Sequence, residues 1–223
     1  MNRMPLFVLG LSVVLLGCPS VHTMRSAEVL PKGKSEFVVH LGQTGFAASG
    51  QATTSQETTT ASDEFLWETT AFSYRSGLGD NLDFQVKTDL GIAPELGIGY
   101  QVVGVPGEGG VAATVYGGVK YTNIFGLSIV YVPTFALLDL PLGSSSVTVK
   151  AGAMTSRVVL AGEFLSVTKP LIGLSARIKL GSFSLIPEFS YTEVFNTNEL
   201  SEDNTESIGV AVGFVSAGLG LAF

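Results

Sequence analysis

The sequence predicts an all-β fold: a closed antiparallel up-and-down transmembrane β-barrel of about 10 strands, within a range of roughly 8–12. Three observations predict it. Apolar and polar residues alternate with a period of two through most of the chain, the alternating segments have similar lengths, and the connections between them differ in length on the two sides. No sustained helical period of 3.6 accompanies these patterns.

The alternation is clear between residues 82 and 92. Phe84 and Val86 fall on one face of a strand, whereas Asp83 and Lys87 fall on the other. Comparable segments recur along the chain, and most are about 9–12 residues long, the length that a tilted strand needs to cross a bilayer. The predicted strands lie near residues 36–46, 64–76, 82–92, 95–103, 111–121, 127–137, 146–156, 168–180, 183–194 and 207–223.

The connections between these strands alternate between two kinds. If the first strand starts at the periplasm, the connections on that side are short, at 77–81, 104–110, 139–145 and 181–182. The two longest and most polar connections, 47–63 and 195–206, then fall on the external side. Short turns on one side and long loops on the other are typical of outer-membrane barrels.

The last strand resembles a terminal sorting signal. Leu219, Leu221 and Phe223 alternate up to the final residue, like the signal that the barrel-assembly machinery reads in bacterial outer-membrane proteins. The apolar residues of 208–214 have the opposite parity, which predicts a bulge or a change of face near Phe214.

The first 17 residues have the features of a signal peptide. Arg3 precedes a short apolar run over 6–16, which is shorter than the roughly 20 residues of a membrane-spanning helix. The sequence Leu-Leu-Gly-Cys that ends at Cys18 resembles the lipobox of bacterial lipoproteins, which implies cleavage before Cys18 and acylation of that residue. Residues 18–34 would then form a lipidated tether to a barrel domain over 35–223. The alternative is an ordinary signal peptide cleaved nearby, with Cys18 unmodified.

Composition narrows the class of protein. Only 14% of residues are charged, compared with about 25% in ordinary soluble domains. The formal net charge of −7 argues against nucleic acid as a partner. With one cysteine, the chain has neither an internal disulfide nor a site built from several thiolates.

Residues 35–223 therefore resemble small outer-membrane β-barrel proteins as a pattern rather than through a motif. The resemblance implies residence in the outer membrane of a Gram-negative-type bacterium, contact with outer-membrane lipids, and assembly by the barrel machinery. A structural, envelope-associated or narrow-pore role follows from it.

The polar faces of the strands predict the lining of the barrel. Residues of both signs occur there in similar numbers, which favours an ion-pair network that holds the barrel shut; a narrow pore or a small-ligand cavity is the alternative. The predicted interior residues are Asp83, Lys87, Asp89, Glu95, Lys120, Lys150, Arg177, Lys179 and Glu188.

Two competing classes share parts of this pattern. A periplasm-facing lipoprotein with a soluble lipocalin-like barrel would place the apolar faces inside, around a hydrophobic ligand. An outer-membrane enzyme would depend on His40, the one candidate residue in a strand. We expect no enzymatic activity, no cofactor and no metal. The two long loops are most simply solvated surface, and the alternative for them is adhesion or divalent-cation binding at the cell surface.

Overall fold

The computed structural model describes residues 22–53, 58–89, 93–124, 127–160, 163–196 and 207–223. It confirms the predicted fold class, a closed antiparallel barrel of ten strands. The strands are β1 (Ser35–Thr53), β2 (Thr58–Gly77), β3 (Leu82–Asp89), β4 (Ala93–Val103), β5 (Ala112–Ile124), β6 (Leu127–Leu142), β7 (Ser145–Leu160), β8 (Glu163–Leu180), β9 (Phe183–Asn196) and β10 (Ser207–Ala222). Within the described ranges, no helix combines the length and the apolar character needed to cross a bilayer.

Each strand pairs antiparallel with its neighbours in sequence, and β1 pairs with β10 to close the cylinder. The seam between β1 and β10 is continuous from Val38 opposite Ala222 to Thr53 opposite Ser207. At its lower end, Phe37 and Phe223 exchange two backbone hydrogen bonds of 3.2 and 2.9 Å. Closure leaves no open sheet edge along this seam.

The strands carry apolar side chains on the outside of the barrel. On β4, Leu96, Ile98 and Tyr100 are 62%, 54% and 52% exposed, whereas Glu95 and Gln101 are buried inside the barrel. All the remaining strands also carry exposed apolar residues with the same alternation, wherever their side chains are described. This arrangement is the reverse of a soluble lipocalin-like barrel, so that interpretation is wrong.

Two predicted connections are shorter than expected. Strands β1 and β2 extend through most of the predicted loop 47–63 and leave only 54–57 between them. Likewise β6 continues to Leu142, so the predicted turn 139–145 reduces to residues 143–144, with Gly143 at a φ of 64°. The polar sequence of 47–63 and the proline at residue 141 indicate loops. The hydrogen-bonded pairing of β1 with β2 and of β6 with β7 nevertheless continues through these positions. The predicted loop 195–206 lies mostly outside the described residues.

A register irregularity occurs close to the position predicted for it. Between β10 and β9 the pairing changes from Val212 opposite Phe195 to Gly213 opposite Glu193. The additional residue is therefore Val194 on β9, while β10 itself keeps a continuous register with β1. The side chains of 208–214 lie outside the described part of the structure.

Candidate functional site: the barrel interior

The chain before β1 runs inside the barrel. Residues 22–30, which we call the lumenal segment, lead from mid-barrel to the rim formed by the short turns, where Lys32 bridges to Gly77. Met24, Arg25, Ala27 and Val29 of this segment have no exposed surface. The sequence assigned residues 18–34 to a tether and gave no sign of this burial, because a nine-residue irregular segment has no periodicity to detect.

Near the rim, charged side chains form one connected ion-pair cluster. The carboxylate of Asp83 accepts hydrogen bonds from Arg25 at 3.0 Å and from Arg75 at 2.7 Å. Arg75 also contacts Glu36 at 3.2 Å, and Glu36 pairs in turn with Arg177. Alternating charges let each buried group keep an opposite partner, which buried ions require.

Three further ion pairs lie deeper in the barrel, and all are at least largely buried. They are Lys87–Glu95 at 3.1 Å, Lys120–Asp89, and Lys150–Glu188 at 2.9 Å. Tyr116 donates a hydrogen bond of 2.8 Å to Glu95, and Thr148 donates one to Asp139. Among these pairs, Lys150–Glu188 joins β7 to β9, and the Glu36–Arg177 pair of the rim cluster joins β1 to β8.

The structure places eight of the nine residues predicted for the interior in these ion-pair networks. Asp83, Lys87, Glu95, Lys120, Lys150 and Glu188 are buried, while Asp89 and Arg177 are partly exposed and paired. Lys179 differs, since it is exposed. It lies one residue before the end of β8 at Leu180, so it reaches the mouth rather than the lumen.

Four charged residues of the networks were missing from the predicted set: Arg25 of the lumenal segment, and three residues on strands. Glu36 and Arg75 have the inward parity of their strands but lie close to predicted strand ends, where parity is least certain. Asp139 was placed in a turn, whereas it is buried on the inner face of β6. Glu36 and Arg75 lie within the predicted strands and share the parity of the other inward residues there, whereas Asp139 lies two residues beyond the predicted end of its strand at residue 137.

One side of the lumen is apolar, which the sequence did not predict. Tyr116, Phe135, Leu137, Met154 and Leu171 form a buried cluster with Ala27 of the lumenal segment. From Ile129 to Leu137 the inner positions of β6 are apolar like most of its outer ones, so this part of the strand lacks the contrast that marks an interior face. Beside His22 a cavity of about 20 Å³ remains between this apolar wall and the ion pairs, room for about one water molecule.

His40, the only candidate for catalysis, packs against the lumenal segment. Its ring centroid lies 3.8 Å from that of His22, and within the described residues neither of its ring nitrogens has a hydrogen-bond partner. Gly42 and Gly218 make room for the ring, because a methyl group at either position would collide with it. No group of three or more His, Cys, Asp or Glu residues that could hold a metal occurs in the described ranges. The geometry gives His40 a packing role.

The apolar exterior, the closed sheet and the charged, filled interior define a transmembrane β-barrel with an internal segment. No protein-family model and no curated protein matches the chain. Among solved structures, it is similar to the outer membrane protein OprG from Pseudomonas aeruginosa, with 8% identity, 89% of this chain and 99% of that chain covered, and a TM-score of 0.34. It is also similar to outer membrane protein AlkL (11%, 92% and 96%, 0.35) and to the attachment invasion locus protein Ail of Yersinia pestis (13%, 85% and 99%, 0.29).

Proposed function

We propose that this protein is an outer-membrane β-barrel lipoprotein of a Gram-negative-type bacterium, with a structural, envelope-associated role and a lumen closed by its own lumenal segment. The observation that carries the proposal is the filled interior. In the described part of the lumen, the segment and the ion pairs occupy the bore between the short-turn rim and His22, and the space beside His22 has room for about one water molecule. A hydrated solute needs a continuous aqueous path, which such packing does not provide.

Membrane residence is tested by the behaviour of the purified protein. The folded barrel should require detergent and should migrate faster on a denaturing gel before heating than after it, because a closed barrel resists unfolding by the detergent. A protein that stays monomeric and soluble without detergent would contradict the proposal.

Closure is tested by recording currents across planar bilayers that contain the protein. We expect no steady conductance from the unmodified chain. The narrow-pore role is the second candidate, favoured by the charged lining that withdrawal of the segment would uncover. Steady ohmic channels formed by the unmodified protein would contradict the structural role and favour the narrow-pore role.

Lipidation of Cys18 is tested separately. Growth with labelled palmitate should label the wild type and leave Cys18→Ser unlabelled, since that variant lacks the thiol that would be acylated. Equal labelling of both proteins, or of neither, would show that Cys18 is a bystander behind an ordinary signal peptide.

A further inference from the structure

The backbone of the lumenal segment is bound by side chains of the barrel wall. At its inner end, Glu188 accepts hydrogen bonds from the amides of Thr23 and Met24, at 2.6 and 3.0 Å. Lys87 donates to the carbonyl of His22 at 2.5 Å, and Gln85 donates to that of Thr23 at 3.0 Å. Each of these hydrogen bonds is made to a main-chain group of the segment.

The same pattern continues toward the rim. The amides of Glu28, Val29 and Leu30 donate to Asp139, Gln101 and Asp83, at 3.1, 2.8 and 3.4 Å. The carbonyls of Ala27 and Glu28 accept from Thr114 and Arg75. Hydrogen bonds to the main chain contribute affinity without reading the peptide sequence.

One side chain of the segment has a pocket of its own. Arg25 donates to Asp83 at 3.0 Å, and its guanidinium carbon lies 5.0 Å from the ring centroid of Tyr116. Gly99 forms the floor of the pocket, because any Cβ at that position would overlap the guanidinium. A carboxylate, an aromatic face and a missing side chain together form a site selective for arginine.

The remaining contacts of the segment are apolar, and they restrict mainly the size of the side chains that fit. Ala27 packs on the apolar wall described above, and Met24 packs against Val38, Ala71 and Ile186. Met24 also has a φ of 54°, a conformation that non-glycine residues adopt at a cost and keep only when their surroundings enforce it. The wall therefore imposes the path of the segment.

From these contacts we propose that the lumen is a binding site for an extended peptide, that its side-chain specificity resides in the arginine pocket of Asp83, Tyr116 and Gly99, and that residues 22–30 are its resident, displaceable ligand. The site takes its ligand mainly through main-chain groups, so a separate peptide with arginine at the matching position competes with the resident segment. This inference depends on neither lipidation nor conductance.

The test uses the full chain with a specific protease site inserted between Gly33 and Lys34, which are exposed at the rim. The protein is folded in detergent, cleaved, and incubated with a fluorescent synthetic peptide of residues 22–31. We expect saturable binding to the cleaved barrel, release of the severed segment, and no binding to the uncleaved barrel. Heat-modifiable migration before and after cleavage shows that the barrel stays folded.

Matched peptides test the pocket. A peptide with Arg25→Ala should bind at least about a hundredfold more weakly, because it leaves the buried Asp83 short of a partner. A peptide with Ser26→Ala should bind within about threefold of the parent, since the Ser26 hydroxyl donates only to Glu28 of the same segment in the described structure.

Each other outcome overturns part of the proposal. Equal binding of the Arg25→Ala peptide would remove the arginine pocket as the source of specificity. A folded, cleaved barrel that releases its segment without binding the peptide would show that the lumen is not a peptide site. A severed segment that never exchanges, even when the cleaved chain is unfolded and refolded with excess peptide, would show that the segment is a fixed part of the fold.

Discussion

Arg25 is the most enclosed charge of the lumenal segment, and its partner Asp83 is shared with Arg75. The side chains of Arg25 and Asp83 are both fully buried, so the pair is enclosed by protein rather than screened by water. The interior carboxylate could be predicted from the alternation of β3. Its partner could not, because Arg25 lies in a segment without a period.

Replacing Arg25 should therefore destabilise the folded barrel. We expect Arg25→Ala to lower the free energy of unfolding by about 3–5 kcal/mol, the usual effect of removing one member of a buried ion pair. The temperature at which the folded band disappears from an unheated gel gives the measurement. Arg25→Lys keeps the charge without the planar guanidinium, so it should lower the free energy of unfolding by less than Arg25→Ala does. An unchanged transition in Arg25→Ala would show that the segment leaves the lumen at little cost.

A methyl group on the floor of the pocket should have a similar effect. Gly99→Ala would place a Cβ against the guanidinium of Arg25, so we expect easier protease cleavage of the segment and a lower unfolding temperature. Gly117→Ala is the matched control, since a Cβ there meets nothing within 4 Å. If both variants behave like the wild type, Arg25 does not occupy this pocket in the folded protein.

At the scale of elements, the sequence predicted the positions of all ten strands, most of them from the period of two, which arises because each strand of a membrane barrel has lipid on one side and the lumen on the other. The same argument explains where prediction failed. The 47–63 region is rich in polar residues on both faces, and β6 is apolar on both, so neither shows alternation. Strand structure persists in both because the neighbouring ladders supply the backbone partners.

The end of β10 provides a prediction at this scale. Removing Phe223 deletes both of its hydrogen bonds with Phe37 and the residue that resembles an assembly signal. We expect much less heat-modifiable protein in the outer-membrane fraction, measured against total protein. Phe223→Tyr keeps the aromatic ring and the backbone contacts, and it should assemble normally. Normal insertion of the chain that lacks Phe223 would show that this residue is not part of the assembly signal.

At the scale of the whole molecule, the apolar belt determines where a charge is tolerated. Ile98 lies midway along β4 and is 54% exposed, whereas Leu142 is 63% exposed but ends β6 at a turn. We expect Ile98→Lys to destabilise the barrel in lipid by about 2–4 kcal/mol and Leu142→Lys by at most about 1 kcal/mol, because the cost of a charge falls from the midplane to the interface. Denaturant titration in lipid vesicles measures both. Equal effects would mean that Ile98 does not face hydrocarbon.

The strand that carries the lumenal segment is also the one that meets β10 at the seam. Because β10 is the last strand in the chain, the sheet from β1 to β9 has two free edges until it arrives. The segment can thus be laid against the inner side of a curved, open sheet and enclosed as those edges join. We therefore expect closure of the barrel and enclosure of the segment to occur in one assembly step, and we expect a segment that does not fit the lumen to slow the pairing of β1 with β10.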